Sequence, residues 1–166
     1  MTFTDTNTIL ISGSKFESIK IGSDNPLVLI AGPCAIESKD HAFFMADKIK
    51  KICEKLDIKF IYKSCYDKDC RSSIKSFHGL GIEKGLKILD EVRDNFSIPV
   101  TSDFSNPEWS KETGEVCDMI QIPAFLCRQT SILRSAAKTK KPINLKKGQF
   151  MSPWNIRNSV KKLKEF

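Results

Sequence analysis

The chain has 166 residues, 40% hydrophobic and 28% charged, a make-up that fits one soluble globular domain and excludes a disordered or fibrous protein. No apolar run approaches the roughly 20 residues that cross a bilayer, and the polar opening MTFTDTNTIL lacks the features of a signal peptide, so a cytoplasmic protein without membrane contact is expected. The formal net charge of +7 comes from lysines spread over 48–55, 138–147 and 161–164 as on solvated helix faces, and no basic stripe with interleaved aromatics points to nucleic acid.

In chain order, two short β-like stretches at 8–12 and 17–21, separated by Gly13 and Ser14, predict a hairpin. From residue 27 onward, short apolar runs alternate with helical patterns, the rhythm of a parallel sheet built from βα units. Strands are predicted at 27–31, 59–63, 100–103, 119–122 and 143–146, each nearly continuous in apolar residues, as strands buried on both faces are. The first helix carries Ala42, Met45, Ala46, Ile49, Ile52, Cys53 and Leu56 at three- and four-residue steps, with Ser38 as N-cap. A second stripe runs through Ile82, Leu86, Leu89 and Phe96, a third helix near 107–115 is short, and a fourth holds Ile132, Leu133, Ala136 and Ala137. The last helix is predicted to start at Ser152-Pro153 and to bury Ile156, Val160 and Leu163.

Five alternating units fit an open doubly wound sheet as well as a barrel. Gly32-Pro33-Cys34, the 63–71 segment, Asp103, Gln121 and Lys146-Lys147 all fall just after strands, where barrels of this class gather their functional groups. No glycine-rich nucleotide loop follows the first strand. The expected fold is therefore α/β: a partial (β/α)8 TIM barrel of five βα units at 27–166, preceded by a hairpin segment at 1–26 that caps the barrel.

The densest chemistry is Lys63-Ser64-Cys65-Tyr66-Asp67-Lys68-Asp69-Cys70-Arg71-Ser72-Ser73, where lysines, an arginine and hydroxyls follow one buried strand. Arginine forks onto phosphate oxygens and lysine offers a point charge, so the mixture suits a doubly anionic ligand, although a solvated loop of ordinary charges has the same composition. Lys63 and Lys146 each end an apolar strand, where an amine is costly unless it meets an anion, and Gln121 ends the fourth strand in the same way. Cys34 stands at the mouth of the first strand as metal ligand, nucleophile or small apolar filler, with no histidine beside it. None of the six cysteines forms a C-x-x-C pair, and reduced thiols are expected.

Four blocks in register, Ile30-Ala31-Gly32-Pro33-Cys34-Ala35-Ile36-Glu37-Ser38, Lys63-Ser64-x-x-Asp67-Lys68-x-x-Arg71-Ser72-Ser73, Gln121-Ile122-Pro123-Ala124-Phe125-Leu126-Cys127-Arg128-Gln129-Thr130 and Asn144-Leu145-Lys146-Lys147-Gly148-Gln149-Phe150, resemble the 3-deoxy-D-manno-octulosonate 8-phosphate synthase family. The resemblance implies condensation of phosphoenolpyruvate with D-arabinose 5-phosphate and water to 3-deoxy-D-manno-octulosonate 8-phosphate and phosphate, a lipopolysaccharide precursor step. It implies catalytic roles for Lys63, Lys68 and Lys146, with Asp103, Gln121, Ala124, Arg128 and Gln149 also binding substrate. Arg71 and Ser72 would hold the sugar phosphate, partly across an interface of the homo-tetramer typical of the family. Cysteine at position 34 resembles the metal-dependent class and implies a divalent cation whose identity one thiolate does not define.

The chain departs from the family pattern at Asp69 and Cys70, where Ala-Asn is usual, at Ser105-Asn106, where His-Glu is usual, and at Phe77-His78, where arginine normally precedes Gly79. It also stops after the fifth helix, whereas a barrel of this type needs about 250 residues. The family's further phosphoenolpyruvate arginine and its remaining metal ligands belong to units six to eight. Three readings follow: an enzyme whose activity depends on those units, an inactive remnant that binds anions weakly, or a half-barrel that pairs with a separate C-terminal piece.

Overall fold

The near-continuous apolar runs pair as parallel strands in a computed structural model that describes residues 8–166; the part of the 1–26 segment before Thr8 lies outside it. A two-stranded antiparallel hairpin, β1 (Ile9–Ile11) and β2 (Ile19–Ile21), has Ile9 opposite Ile21 and Ile11 opposite Ile19. It is followed by β3 (Val28–Ala31), α1 (Lys39–Lys55), β4 (Lys59–Lys63), α2 (Ile82–Phe96), β5 (Val100–Asp103), α3 (Ser110–Val116), β6 (Met119–Ile122), α4 (Thr130–Lys138), β7 (Ile143–Leu145) and α5 (Ile156–Glu165). Short 3₁₀ turns, Pro107–Trp109 and Ala124–Leu126, precede α3 and α4. The parallel sheet runs β3-β4-β5-β6-β7, in chain order, as a curled partial TIM barrel.

The two faces of the sheet sort by the two-residue alternation of a strand. On the outer face Phe60, Tyr62, Val100, Ile120 and Ile122 are buried under Ala42, Ala46 and Cys53 of α1, Leu86, Leu89 and Val92 of α2, and Ile132, Leu133 and Ala136 of α4. On the inner face Ile61 and Met119, with Val28 and Ile30 beside them, meet Ile11, Ile19, Phe16 and Ile21 of the hairpin. Lys59 at the start of β4 bonds Glu17 at 2.8 Å, so the hairpin lies against the N-terminal ends of the strands and leaves the other end to polar residues.

Local chemistry explains most boundaries. Ser38, in extended backbone, accepts a bond from the His41 amide and starts α1 as expected. Asn106 accepts from the Glu108 amide and Pro107 follows it, which begins the turn into α3. Asp118 accepts the Val100 amide at 2.9 Å and closes the start of β5.

Two expectations are corrected. The last helix begins at Ile156 with Asn155 before it, because Ser152-Pro153-Trp154-Asn155 closes a turn through an Asn155 amide bond to the Ser152 carbonyl; proline suits the second position of such a turn as well as the first turn of a helix. Val160, predicted to be buried, is 37% exposed, and Ile52 and Leu56, on the apolar stripe of the first helix, are 56% and 62% exposed. Ile52 and Leu56 lie on α1, the helix following β3, which among the described residues has a strand neighbour on one side only.

Glycine is required where α2 crosses the end of β4. A Cβ at Gly85 would lie 2.2 Å from Tyr66 Cβ, so only a bare backbone lets the helix approach this closely. Gly85→Ala is therefore expected to destabilise the fold by about 1–3 kcal/mol through overpacking, outweighing the roughly 1 kcal/mol that alanine gains in helix propensity. Urea unfolding measures this, and an unchanged or raised midpoint would mean the contact is absent.

Candidate active site

β4 and β5 end side by side, with Lys63 in register with Thr101, two residues before Asp103, which pairs with Gln121 of β6, which pairs with Asn144 of β7. Side chains two residues apart on a strand share a face, so Lys63, Asp103, Gln121 and Asn144 continue the inner face of Ile61 and Met119 to its polar end. The Asp103 carboxylate is 5% exposed and meets two ammonium groups: Lys68 Nζ donates to Oδ2 at 2.6 Å, and Lys63 Nζ lies 3.2 Å from Oδ1 as a charge contact without hydrogen-bond geometry.

Burial alone would push the Asp103 carboxyl up, but Lys63 and Lys68 outweigh it and hold the group below its ordinary value of 3.8. Burial likewise works against the Lys68 ammonium, and its bond to Asp103 prevails, raising it above 10.5. Cys65 sits beside the three charges, and burial followed by the Asp103 carboxylate pushes its thiol up to about 12, so it stays protonated. Its sulfur lies 2.9 Å from the Asp67 carbonyl.

The first block wraps onto the same end. Ser64 donates to the Pro33 carbonyl at 2.8 Å, the Ile36 amide donates to Cys65 O at 2.9 Å, and a Cβ at Gly32 would strike the Lys63 carbonyl at 2.0 Å. Cys34 beyond Pro33 is exposed. Among the described residues no three His, Cys, Asp or Glu gather as a set that could hold a metal ion.

The other expected residues stand around this centre. Gln121 is buried and accepts from Asn144 Nδ2 at 3.0 Å, a partner that sequence reasoning missed and that the polar residue inside the β7 run could have signalled. Lys146 follows β7, tied through its amide to the Ile122 carbonyl at 3.2 Å, with its side chain exposed. Ala124 is half-buried at the start of the turn after β6, whereas Arg128 and Gln149 are exposed. Arg71 and Ser72 are exposed on the loop between β4 and α2, and Arg71 Nε donates to the Phe77 carbonyl at 3.2 Å rather than to the central carboxylate.

A cavity of about 180 Å³ opens beside Lys68 and Asp103, walled by Phe104, Pro123, Phe125 and Leu126. Asp69, Cys70 and Ser105, three of the positions that depart from the family pattern, line it too. Burial, and then the neighbouring Asp69, raises the carboxyl of Asp67 on the same wall, while His78 works in the opposite sense. A concave apolar wall with a few convergent charged groups suits a small polar ligand.

A folded carboxyl held below its unfolded value stabilises the protein fully above that unfolded value, near 3.8, and the contribution is lost as pH falls through the lower folded value. Stability measured against pH should therefore fall more steeply on the acid side for the wild type than for Asp103→Asn. Near neutrality the variant should be less stable by about 2 kcal/mol, less than a fully buried pair would lose because both ammonium groups keep some solvent contact. Superimposable acid limbs would contradict the ion-pair account.

A sequence model of the DAHP synthetase I family matches residues 5–166. The chain is 54% identical over 152 residues to the 2-dehydro-3-deoxyphosphooctonate aldolase of Rickettsia felis, covering 92% of this chain and 56% of that protein. The proteins of the same name from Rickettsia prowazekii and Rickettsia conorii are 55% and 53% identical over the same 92% of the chain. The chain thus spans little more than half the length of these curated relatives, at 55–56%. Among the described residues no helix is long and apolar enough to cross a membrane. With the family pattern running from before the hairpin through α5, and the polar blocks gathered at one end of a curled parallel sheet, the chain belongs to the DAHP synthetase I family.

Proposed function

We propose that this chain carries the substrate-binding half of a synthase that condenses phosphoenolpyruvate with D-arabinose 5-phosphate and water, giving 3-deoxy-D-manno-octulosonate 8-phosphate and phosphate. The observation that carries the reading is the convergence of Lys63 and Lys68 on Asp103 at the C-terminal end of the sheet. The name of these relatives, 2-dehydro-3-deoxyphosphooctonate aldolase, supports the same chemistry.

In this reading Lys63, Lys68 and Lys146 face the carboxylate and phosphate of phosphoenolpyruvate, with Gln121, the Ala124 region, Arg128 and Gln149 completing that side. Fixed ammonium groups in a partly water-free site favour charge that develops as phosphate departs. Asp103 holds two of them close together before substrate arrives. Arg71 and Ser72, exposed on their loop, take the sugar phosphate, and a neighbouring subunit of a homo-tetramer would approach them there. The carboxylates of Asp67 and Asp69 on the cavity wall suit the hydroxyl donors of a sugar better than its phosphate.

Turnover belongs to a closed barrel. Eight strands close such a barrel, and among the described residues the five of this sheet leave β3 and β7 paired on one side only. Leu27, 89% exposed before β3, and Ile52 and Leu56 on α1 offer apolar surface near that edge for completing units. An anion-binding remnant without catalysis is the second reading, favoured by Asp69, Cys70 and Ser105 in the cavity wall.

Titration of phosphoenolpyruvate into the protein should show affinity of about 1 mM, near 4 kcal/mol, weakening as salt rises. Lys146→Ala should bind more weakly, and equal binding by the variant would assign any affinity to the general lysine surplus. This chain alone should release phosphate from phosphoenolpyruvate and arabinose 5-phosphate negligibly, with or without a divalent cation. Turnover of about 1 per second or faster would show that five units suffice.

A further inference from the structure

Lys68 and Asp103 reach each other from different segments. Lys68 is on the loop between β4 and α2, and Asp103 ends β5 just ahead of the Pro107–Trp109 turn. A contact of 2.6 Å between a loop residue and a strand end needs something to hold the loop in place.

Tyr66 is placed to do so. Its side chain is fully buried, and its hydroxyl lies 2.8 Å from Thr113 Oγ1. Thr113 donates its only hydroxyl proton to the Trp109 carbonyl at 2.7 Å, so Tyr66 must be the donor to Thr113. The Tyr66 ring also meets the Trp109 ring edge-on, with centroids 6.1 Å apart. On its own loop, the Tyr66 carbonyl accepts the Gly81 amide at 3.0 Å, and the Lys68 amide donates to the His78 carbonyl. A Cβ at Gly79 would lie 2.2 Å from the Tyr66 carbonyl oxygen, so the returning strand of the loop is pressed against the same residue. Lys68 therefore follows, two residues on, a peg driven between its own loop and the segment that follows Asp103.

We propose that Tyr66 is a positioning residue for Lys68, its hydroxyl on Thr113 clamping the β4–α2 loop that carries Lys68 to α3, the helix that follows Asp103. The residue touches no substrate in this account; it acts through the placement of one ammonium group. The expected effect on ligand binding rests on the anion-site reading above, whereas the effect on the ion pair does not.

Tyr66→Phe removes the donor and keeps the ring. In the folded variant the Asp103 carboxyl, followed by carbon-13 NMR against pH, should titrate higher than in the wild type, because a displaced Lys68 holds it down less. Binding of inorganic phosphate should weaken by roughly two- to tenfold, the worth of one net hydrogen bond. Thr113→Val should reproduce both changes, with no further change in the double variant, and Thr113→Ser, which keeps the hydroxyl, should restore wild-type behaviour. If Tyr66→Phe does not fold, Thr113→Val against Thr113→Ser decides the matter. An Asp103 titration that neither Tyr66→Phe nor Thr113→Val moves would overturn the proposal and leave Tyr66 an ordinary core residue. A wild type that binds no phosphate, with an Asp103 titration that still responds to both variants, would uphold the clamp and reject the anion-site reading.

Discussion

An ammonium group at the end of a buried strand must meet a counter-charge or reach water, since desolvating it alone costs several kcal/mol. Here one carboxylate answers two such groups: Asp103 of β5 faces Lys63, the last residue of β4, and Lys68, five residues further on. Much of the surrounding architecture bears on this pairing. β4 and β5 must be neighbours and in register, Ser64 must anchor to the Pro33 carbonyl, and Gly32 must lack a side chain so that the first loop can close over the Lys63 carbonyl. The ion pairs also explain how a cationic site can persist without ligand, because the carboxylate neutralises part of the charge and favours the ammonium form of Lys68.

The division of the sheet into two chemistries follows from the strand repeat. Outward residues build one continuous core with α1, α2 and α4, whereas inward residues change character along the strand, from the isoleucines and methionine that meet the hairpin to the charged and amide groups at the opposite end. One apolar plug and one polar mouth are therefore written into the same alternating positions. A single substitution on the inner face acts on the plug or on the mouth according to its height in the strand.

Strands, helices and the polar strand ends were legible because each rests on local pattern: apolar runs of four or five residues, the Ser38 cap, and Lys63, Asp103 and Gln121 as polar groups ending otherwise buried runs. The family likeness rested on blocks short enough to read by eye. What escaped depends on relations between distant segments. An apolar stripe does not say whether a neighbour covers it, which is why Ile52, Leu56 and Val160 share the helical apolar period and still stand exposed. Pro153 serves a turn and a helix start equally, so α5 began later than its signal. The bonds from Asn144 to Gln121 and from Tyr66 to Thr113 join residues on separate units, and only the register of the assembled sheet brings them together.

The order β3-β4-β5-β6-β7 repeats the order of the chain, so each strand finds its partner in the unit made just before it. Each sheet contact therefore spans a single βα unit, with connections that run from residues 104–118 at the shortest to 64–99 at the longest, and parallel pairing of this kind forms more slowly than contacts within a helix. Such a molecule can grow from its N-terminus during synthesis, every new strand docking on a finished edge. The hairpin is the exception. Ile11 and Ile19 complete their burial against Met119, a residue that emerges from the ribosome only after α3, so the plug stays provisional until β6 has joined the sheet.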